Sequence, residues 1–210
     1  MTQKDIFLKS EGDAWFNRNN KTDKLSPDMK VIQNYIAAGL NVLEIGCADG
    51  NRLNSLAENA NFYGLDPSKE AIENGTKKYS DISLSVGTSD ILEFEDAFFD
   101  VVIFGFCLYL VDRNLLFKSI AEADRVLKDK GFLIITDFDP QLNLKNQYKH
   151  FEGVYSYKCD YPKLFLSNPA YSLVEKKSFS HYGDAFHVDE NERVATTVLY
   201  KDIENAYVTK

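Results

Sequence analysis

The sequence predicts a doubly wound α/β domain with a mostly parallel sheet, and three observations carry that reading. Short apolar runs alternate with amphipathic stretches along residues 41–137, the pattern of strand–helix–strand units. The first run breaks into a turn with glycines at positions 46 and 50, where backbone can approach a ligand closely. The second run closes on Asp66, twenty residues after Gly46, where nucleotide-binding folds place an acid for ribose hydroxyls.

Taken in order, residues 41–50 read as a strand bearing Glu44 and then the turn Gly46-Cys47-Ala48-Asp49-Gly50, with a helix expected over residues 51–60. The turn lacks two signatures. Ala48 and Asn51 stand where a dinucleotide fingerprint has its second and third glycines, and no Lys followed by Ser or Thr marks a phosphate loop. Asp49 would repel a phosphate at the helix N-terminus but not an ammonium group, and it would also serve as a helix N-cap. Residues 61–67 form the second strand, ending at Asp66 and Pro67. In residues 82–86, Ile82, Leu84 and Val86 alternate with serines, the period of a strand, ahead of the polar turn Gly87-Thr88-Ser89-Asp90. Residues 98–105 and 131–137 are nearly unbroken apolar runs, suited to parallel strands covered on both faces, and residues 113–127 between them carry helical spacing.

This ordered set resembles class I S-adenosylmethionine-dependent methyltransferases. The family's turn is usually E-x-G-x-G-x-G; Glu44, Gly46 and Gly50 match it, and Ala48 replaces the middle glycine. The resemblance covers roughly residues 41–137 and implies a Rossmann-like fold with S-adenosyl-L-methionine as cofactor and S-adenosyl-L-homocysteine as product. It implies donor contacts at Glu44, Gly46, Cys47, Ala48, Asp49 and Gly50 for the methionine end, Asp66 and Pro67 for the ribose, and Thr88, Ser89 and Asp90 for the adenine. Gly105 and Phe106, at the end of the fourth strand, join that set. It further implies that the N-terminal segment folds over the donor as a lid, with Trp15 and Arg18 shielding the sulfonium end and the methionine carboxylate. Structural anchoring of the segment is the other reading of Trp15.

Four segments follow. Residues 1–40 hold the lid and a helix starting with Ser26 as N-cap and Pro27 in its first turn, packing Val31, Ile32, Tyr35 and Ile36 on the sheet. Residues 41–137 are the donor-binding core. Residues 138–171, rich in aromatics such as Tyr148, Phe151, Tyr155, Tyr157, Tyr161 and Phe165, are expected to be a substrate-recognition insertion. A homodimer contact would use the same composition. Residues 172–210 supply two antiparallel strands that complete a seven-stranded sheet, with helices on both faces.

Tyr109, after the fourth strand, is a candidate to donate a hydrogen bond to the acceptor or to offer a ring face to the methylsulfonium cation. If a base is needed, a histidine suits neutral pH: His150 in the insertion, with His181 and His187 as fallbacks. A soft or deprotonated nucleophile would need none.

Composition narrows the partners. The 210 residues are 44% hydrophobic, enough for one sizeable core, with no apolar run near the ~20 residues of a membrane span. The net charge is −8 without a basic stripe, which argues against nucleic acid and for a small-molecule acceptor. Cys47, Cys107 and Cys159 lack metal-ligand spacing, so neither zinc nor a disulfide is expected. No secretory signal pattern opens the chain, and a cytoplasmic enzyme is expected. A non-catalytic S-adenosylmethionine-binding protein on the same fold and, less favoured, a nicotinamide-dependent oxidoreductase are the alternatives.

Overall fold

A computed structural model describes residues 1–19, 27–56 and 59–209. Its centre is a seven-stranded sheet in the order β3-β2-β1-β4-β5-β9-β8. Strands β1 (Asn41–Ile45), β2 (Asn61–Asp66), β3 (Ile82–Val86), β4 (Phe99–Gly105) and β5 (Leu127–Phe138) pair in parallel. Strand β9 (Arg193–Lys201) runs antiparallel to β5, and β8 (Tyr171–Ser180) antiparallel to β9. The sheet is thus seven-stranded, mostly parallel and finished by an antiparallel pair, as the sequence predicts.

Alternation along each strand sends side chains to two cores. Leu43, Val102, Phe104, Leu133 and Ile135 join one cluster with Ala123 and Val126 of α6 (Leu116–Val126). Val42, Val101, Ile103 and Ile134 join the other with Val31 and Ile32 of α3 (Met29–Ile32). Ile36 packs there too, and Tyr35 is half-buried against it. Helix α5 (Lys69–Lys78) starts where the Ser68 hydroxyl accepts from Ala71 N at 3.0 Å, and its last turn carries Lys77 and Lys78, which complement the helix dipole.

Three expectations need correction or limit. The helix expected over residues 51–60 is one turn, α4 (Asn51–Asn54): the chain turns away at Ser55, and Asn59 takes a left-handed φ of 72°. The Ser26 cap lies outside the described residues, and α3 begins after Asp28. Residues 138–171 form a separate antiparallel hairpin, β6 (Leu144–Gln147) with β7 (Tyr155–Lys158), followed by α7 (Pro162–Leu166). Tyr161, Phe165 and Tyr171 are buried in the main core.

The N-terminal segment is helical: α1 (Gln3–Ile6), a π-helical turn over Phe7–Glu11, and α2 (Gly12–Asn19). It lies across the carboxyl ends of the parallel strands, held by polar contacts. Gln3 Nε2 donates to Leu110 O at 2.6 Å and to Tyr155 O at 2.9 Å, and Gln3 Oε1 accepts from Tyr155 N at 3.2 Å. Asp13 Oδ1 accepts from Ser68 Oγ at 2.7 Å and from Glu70 N at 3.0 Å, where α5 begins.

Candidate functional site

A cavity opens at the carboxyl ends of β1, β2 and β4, lined by apolar side chains with a few polar groups, as small-molecule sites usually are. Ligands of open α/β sheets bind at this edge. The lining contains nine of the sequence-predicted residues: Trp15, Gly46, Asp66, Pro67, Thr88, Ser89, Asp90, Gly105 and Phe106. Six predicted donor contacts lie outside it, Arg18, Glu44, Cys47, Ala48, Asp49 and Gly50, as do the other candidates Tyr109 and His150.

Two glycines shape the floor. Gly46 has φ of +80°, and a Cβ there would meet Cys107 Cβ at 2.8 Å; a Cβ on Gly105 would collide with Glu44 Oε1. Phe106 follows in a left-handed conformation at φ 64°, and its N–H donates to Thr136 O at 3.0 Å. Such strain persists only where surroundings enforce it.

Asp66 ties the site together. Its Oδ2 accepts from Ala48 N and its Oδ1 from Ser68 N, both at 2.9 Å, so one carboxylate fixes the glycine turn and the start of α5. Burial pushes its pKa up to about 6, against those two bonds. Each oxygen retains a lone pair for a further donor. Ala48, at φ 49°, therefore works through its backbone, and Asp49 Oδ1 accepts from Asn51 N at 3.2 Å as a local cap. Gly50, in the left-handed region at φ 76°, is the N-cap position of α4. Cys47 is buried in the α3-side cluster.

Glu44 is a correction. It projects to the same face as Val42, where Arg52 Nη1 lies 3.1 Å from both Glu44 Oε1 and Asp28 Oδ2. Burial raises the Glu44 carboxyl to about 7, with Arg52 opposing. Arg18 is also engaged elsewhere: its guanidinium pairs with buried Glu11 and donates to Tyr148 Oη at 3.3 Å. Trp15 does face the cavity.

Tyr109 sits behind the lining, 8% exposed, against Phe106 and Phe138 with ring centroids 5.0 and 5.1 Å away. Burial pushes its phenol up, so the hydroxyl keeps its proton. His150 is exposed and touches only the edge of the Tyr148 ring among the ring contacts; it does not reach the cavity. Of the fallback histidines, His181 stacks near Phe106 and Phe138 at 5.3 and 6.0 Å, and desolvation lowers its pKa. His187 Nδ1 accepts from Asp189 N at 3.1 Å in the same loop.

Several lining residues escaped the sequence reading. Lys4, Phe7 and Gly12 come from the N-terminal helices, and Ile45, Cys107, Leu110, Val111, Asp112 and Leu115 from the β1 and β4 ends. Lys4 Nζ lies 2.7 Å from Asp90 Oδ2, and Asp112 Oδ2 accepts from Gln3 N at 2.9 Å. Buried Asp137 is another omission: Oδ2 accepts from Tyr109 N at 3.2 Å and Oδ1 from Phe138 N at 2.8 Å. Burial raises it to about 7. An acid ending an apolar parallel strand was the available signal.

A close-packed glycine floor, an acid at the second strand and a polar loop after the third accommodate a nucleoside donor without a phosphate. The fold and this cavity define a class I S-adenosylmethionine-dependent methyltransferase, with S-adenosyl-L-methionine as cofactor. Residues 36–189 match the model of a methyltransferase domain, and the chain belongs to that family. Solved structures share the fold. The Haloferax volcanii putative methyltransferase, in complex with the Trm112 methyltransferase activator, is 19% identical with a TM-score of 0.71, covering 94% of this chain and 99% of that one. Burkholderia thailandensis 1,6-didemethyltoxoflavin-N1-methyltransferase, with bound 1,6-didemethyltoxoflavin and S-adenosylhomocysteine, is 15% identical with a TM-score of 0.70, covering 95% and 87%. The N-methyltransferase NodS of Bradyrhizobium japonicum, in complex with S-adenosylhomocysteine, is 19% identical with a TM-score of 0.63, covering 94% and 96%. No curated protein matched the sequence.

Proposed function

We propose that this methyltransferase acts on a small-molecule acceptor, bound in the same cavity beside the donor. The observation that carries the reading is the N-terminal segment: its Lys4, Phe7, Gly12 and Trp15 join the strand ends in lining one cavity. A concave, largely apolar site bordered by helices suits a metabolite better than a macromolecular chain, and the net charge of −8 agrees. The toxoflavin-precursor methyltransferase of the same fold supplies a precedent for such an acceptor.

The donor, when bound, supplies a methyl group already activated by its sulfonium. The chain's part is then positioning and exclusion of water. Asp66 accepts from the ribose hydroxyls, Gly46 and Gly105 let backbone approach the methionine end, and the Thr88–Asp90 turn receives the adenine. Trp15 and Phe106 wall the reacting end with aromatic faces that tolerate a cation. Tyr109 acts from behind, packed against the Phe106 ring. His150 has no part in this reading, and His181 is the histidine nearest the Phe106 wall. No membrane partner is invoked: among the described residues no helix is long and apolar enough to cross a membrane. Residues 138–171 back the lid through Tyr148 and Tyr155 rather than lining the chamber.

The test is a methyl-transfer assay with isotopically labelled S-adenosylmethionine against a panel of small metabolites, beside cellular protein and RNA fractions. Label in a small product is the expected result. Label only in protein or RNA would defeat the small-molecule reading.

A further inference from the structure

The β3 end of the cavity contains an ion pair that the sequence gives no hint of. Lys4 Nζ sits 2.7 Å from Asp90 Oδ2, and both residues line the cavity. The Asp90 side chain is 5% exposed and that of Lys4 23%. Neighbouring hydroxyls are already committed. Thr88 Oγ1 donates to Asp90 Oδ1 at 2.7 Å, and Ser89 Oγ is paired with Ser119 Oγ at 2.7 Å toward α6. Lys118, the other ammonium near Asp90, stands 3.9 Å away, is 55% exposed and does not line the cavity. The side-chain groups left to meet a ligand at this end are therefore an ammonium and a carboxylate, side by side. Burial works to raise the Asp90 pKa, but the bonds from Lys4 and Thr88 outweigh it and keep the group ionised.

Sheet order says which part of the donor arrives there. Moving outward from β4 through β1 and β2 to β3, the cavity passes the glycine turn, then Asp66, then the Thr88–Asp90 turn. With ribose at Asp66, the base falls at the last of these. Adenine presents a donor, its exocyclic amine, next to an acceptor, its ring nitrogen. A carboxylate next to an ammonium is the complementary pair.

We propose that Lys4, delivered by α1, is a nucleobase-reading residue of the donor site: its ammonium donates to an adenine ring nitrogen while Asp90 accepts from the adjacent amine. The inference rests on the cavity being the donor site. It couples base recognition to a docked N-terminus, because Lys4 follows directly on Gln3, which is seated on Leu110 and Tyr155.

Replacing adenine with hypoxanthine reverses both hydrogen bonds, since the amine becomes a carbonyl and the ring nitrogen gains a proton. The test is therefore calorimetric binding of S-adenosylhomocysteine and S-inosylhomocysteine to the full chain, wild type and Lys4→Met. Wild type should prefer the adenosyl ligand by about tenfold or more. Lys4→Met, which keeps the aliphatic stem, should lose about tenfold for the adenosyl ligand and much less for the inosyl one. Lys4→Gln keeps a donor without the charge and should retain an intermediate preference. Thermal unfolding of the unliganded variants checks that each is folded. An unchanged preference in Lys4→Met, or an equal loss for both ligands as from a mere lid clamp, would overturn the role of Lys4 while leaving the donor site intact. Failure of wild type to bind S-adenosylhomocysteine at all would overturn the donor site and this inference together.

Discussion

Asp66 does two jobs with one carboxylate, since it fixes the glycine turn and offers spare lone pairs to the cavity. Asp66→Ala should weaken S-adenosylhomocysteine binding by about 1 kcal/mol or more, read by calorimetry. Because burial raises its pKa to about 6, the ionised acceptor is lost as pH falls through that value. Affinity should therefore be lower at pH 5 than at pH 7.5 in wild type, with the dependence reduced in Asp66→Ala. Gly105→Ala drives a methyl into the Glu44 carboxylate and should destabilise the fold by about 1–3 kcal/mol in denaturant unfolding. At this scale the cavity lining was legible where chemistry and backbone geometry coincide, as at Gly46, Asp66 and Asp90. The sequence misled at Glu44. A strand's alternation says which residues share a face, but not that Arg52 and Asp28 wait beneath that face to absorb the charge.

The elements were legible where a core imposes a period. β1 to β5 and the closing antiparallel pair follow the apolar pattern closely, since the central strands must cover two clusters. The N-terminal helices carry no such period. They dock through a small apolar cluster, Ile6, Phe7 and Trp15 against Tyr148, Val154 and Leu110, and through polar contacts of Gln3, Lys4 and Asp13 that leave no mark on hydropathy. The aromatic stretch at residues 138–171 was ambiguous for the opposite reason: burial in a core and lining of a cavity call for the same residues, and Tyr161 and Phe165 went to the core. Removing residues 1–19 should speed S-adenosylhomocysteine dissociation several-fold or more in stopped-flow measurements while leaving the sheet folded by circular dichroism. An unchanged off-rate would show that the segment does not retain the donor.

At the scale of the whole molecule, three buried carboxyls among the described residues hold their protons to unusually high pH: Glu44 and Asp137 to about 7, Asp66 to about 6. The folded chain thus binds more protons than the unfolded one from the ordinary carboxylate range up to about pH 7, so stability falls as pH rises through that window. His181, held below its usual value, opposes this as one group against three. Glu122, held at about 2 chiefly by Arg125, contributes stability that is lost only at lower pH. The melting temperature should therefore rise between pH 7.5 and pH 5.5 and turn down in stronger acid; a steady fall from pH 7.5 would contradict the three raised carboxyls. A last consequence is optical. The chain has one tryptophan, and it stands in the cavity wall. The protein's emission spectrum is therefore that of a single place, and an unlabelled cuvette experiment can watch the chamber fill and empty.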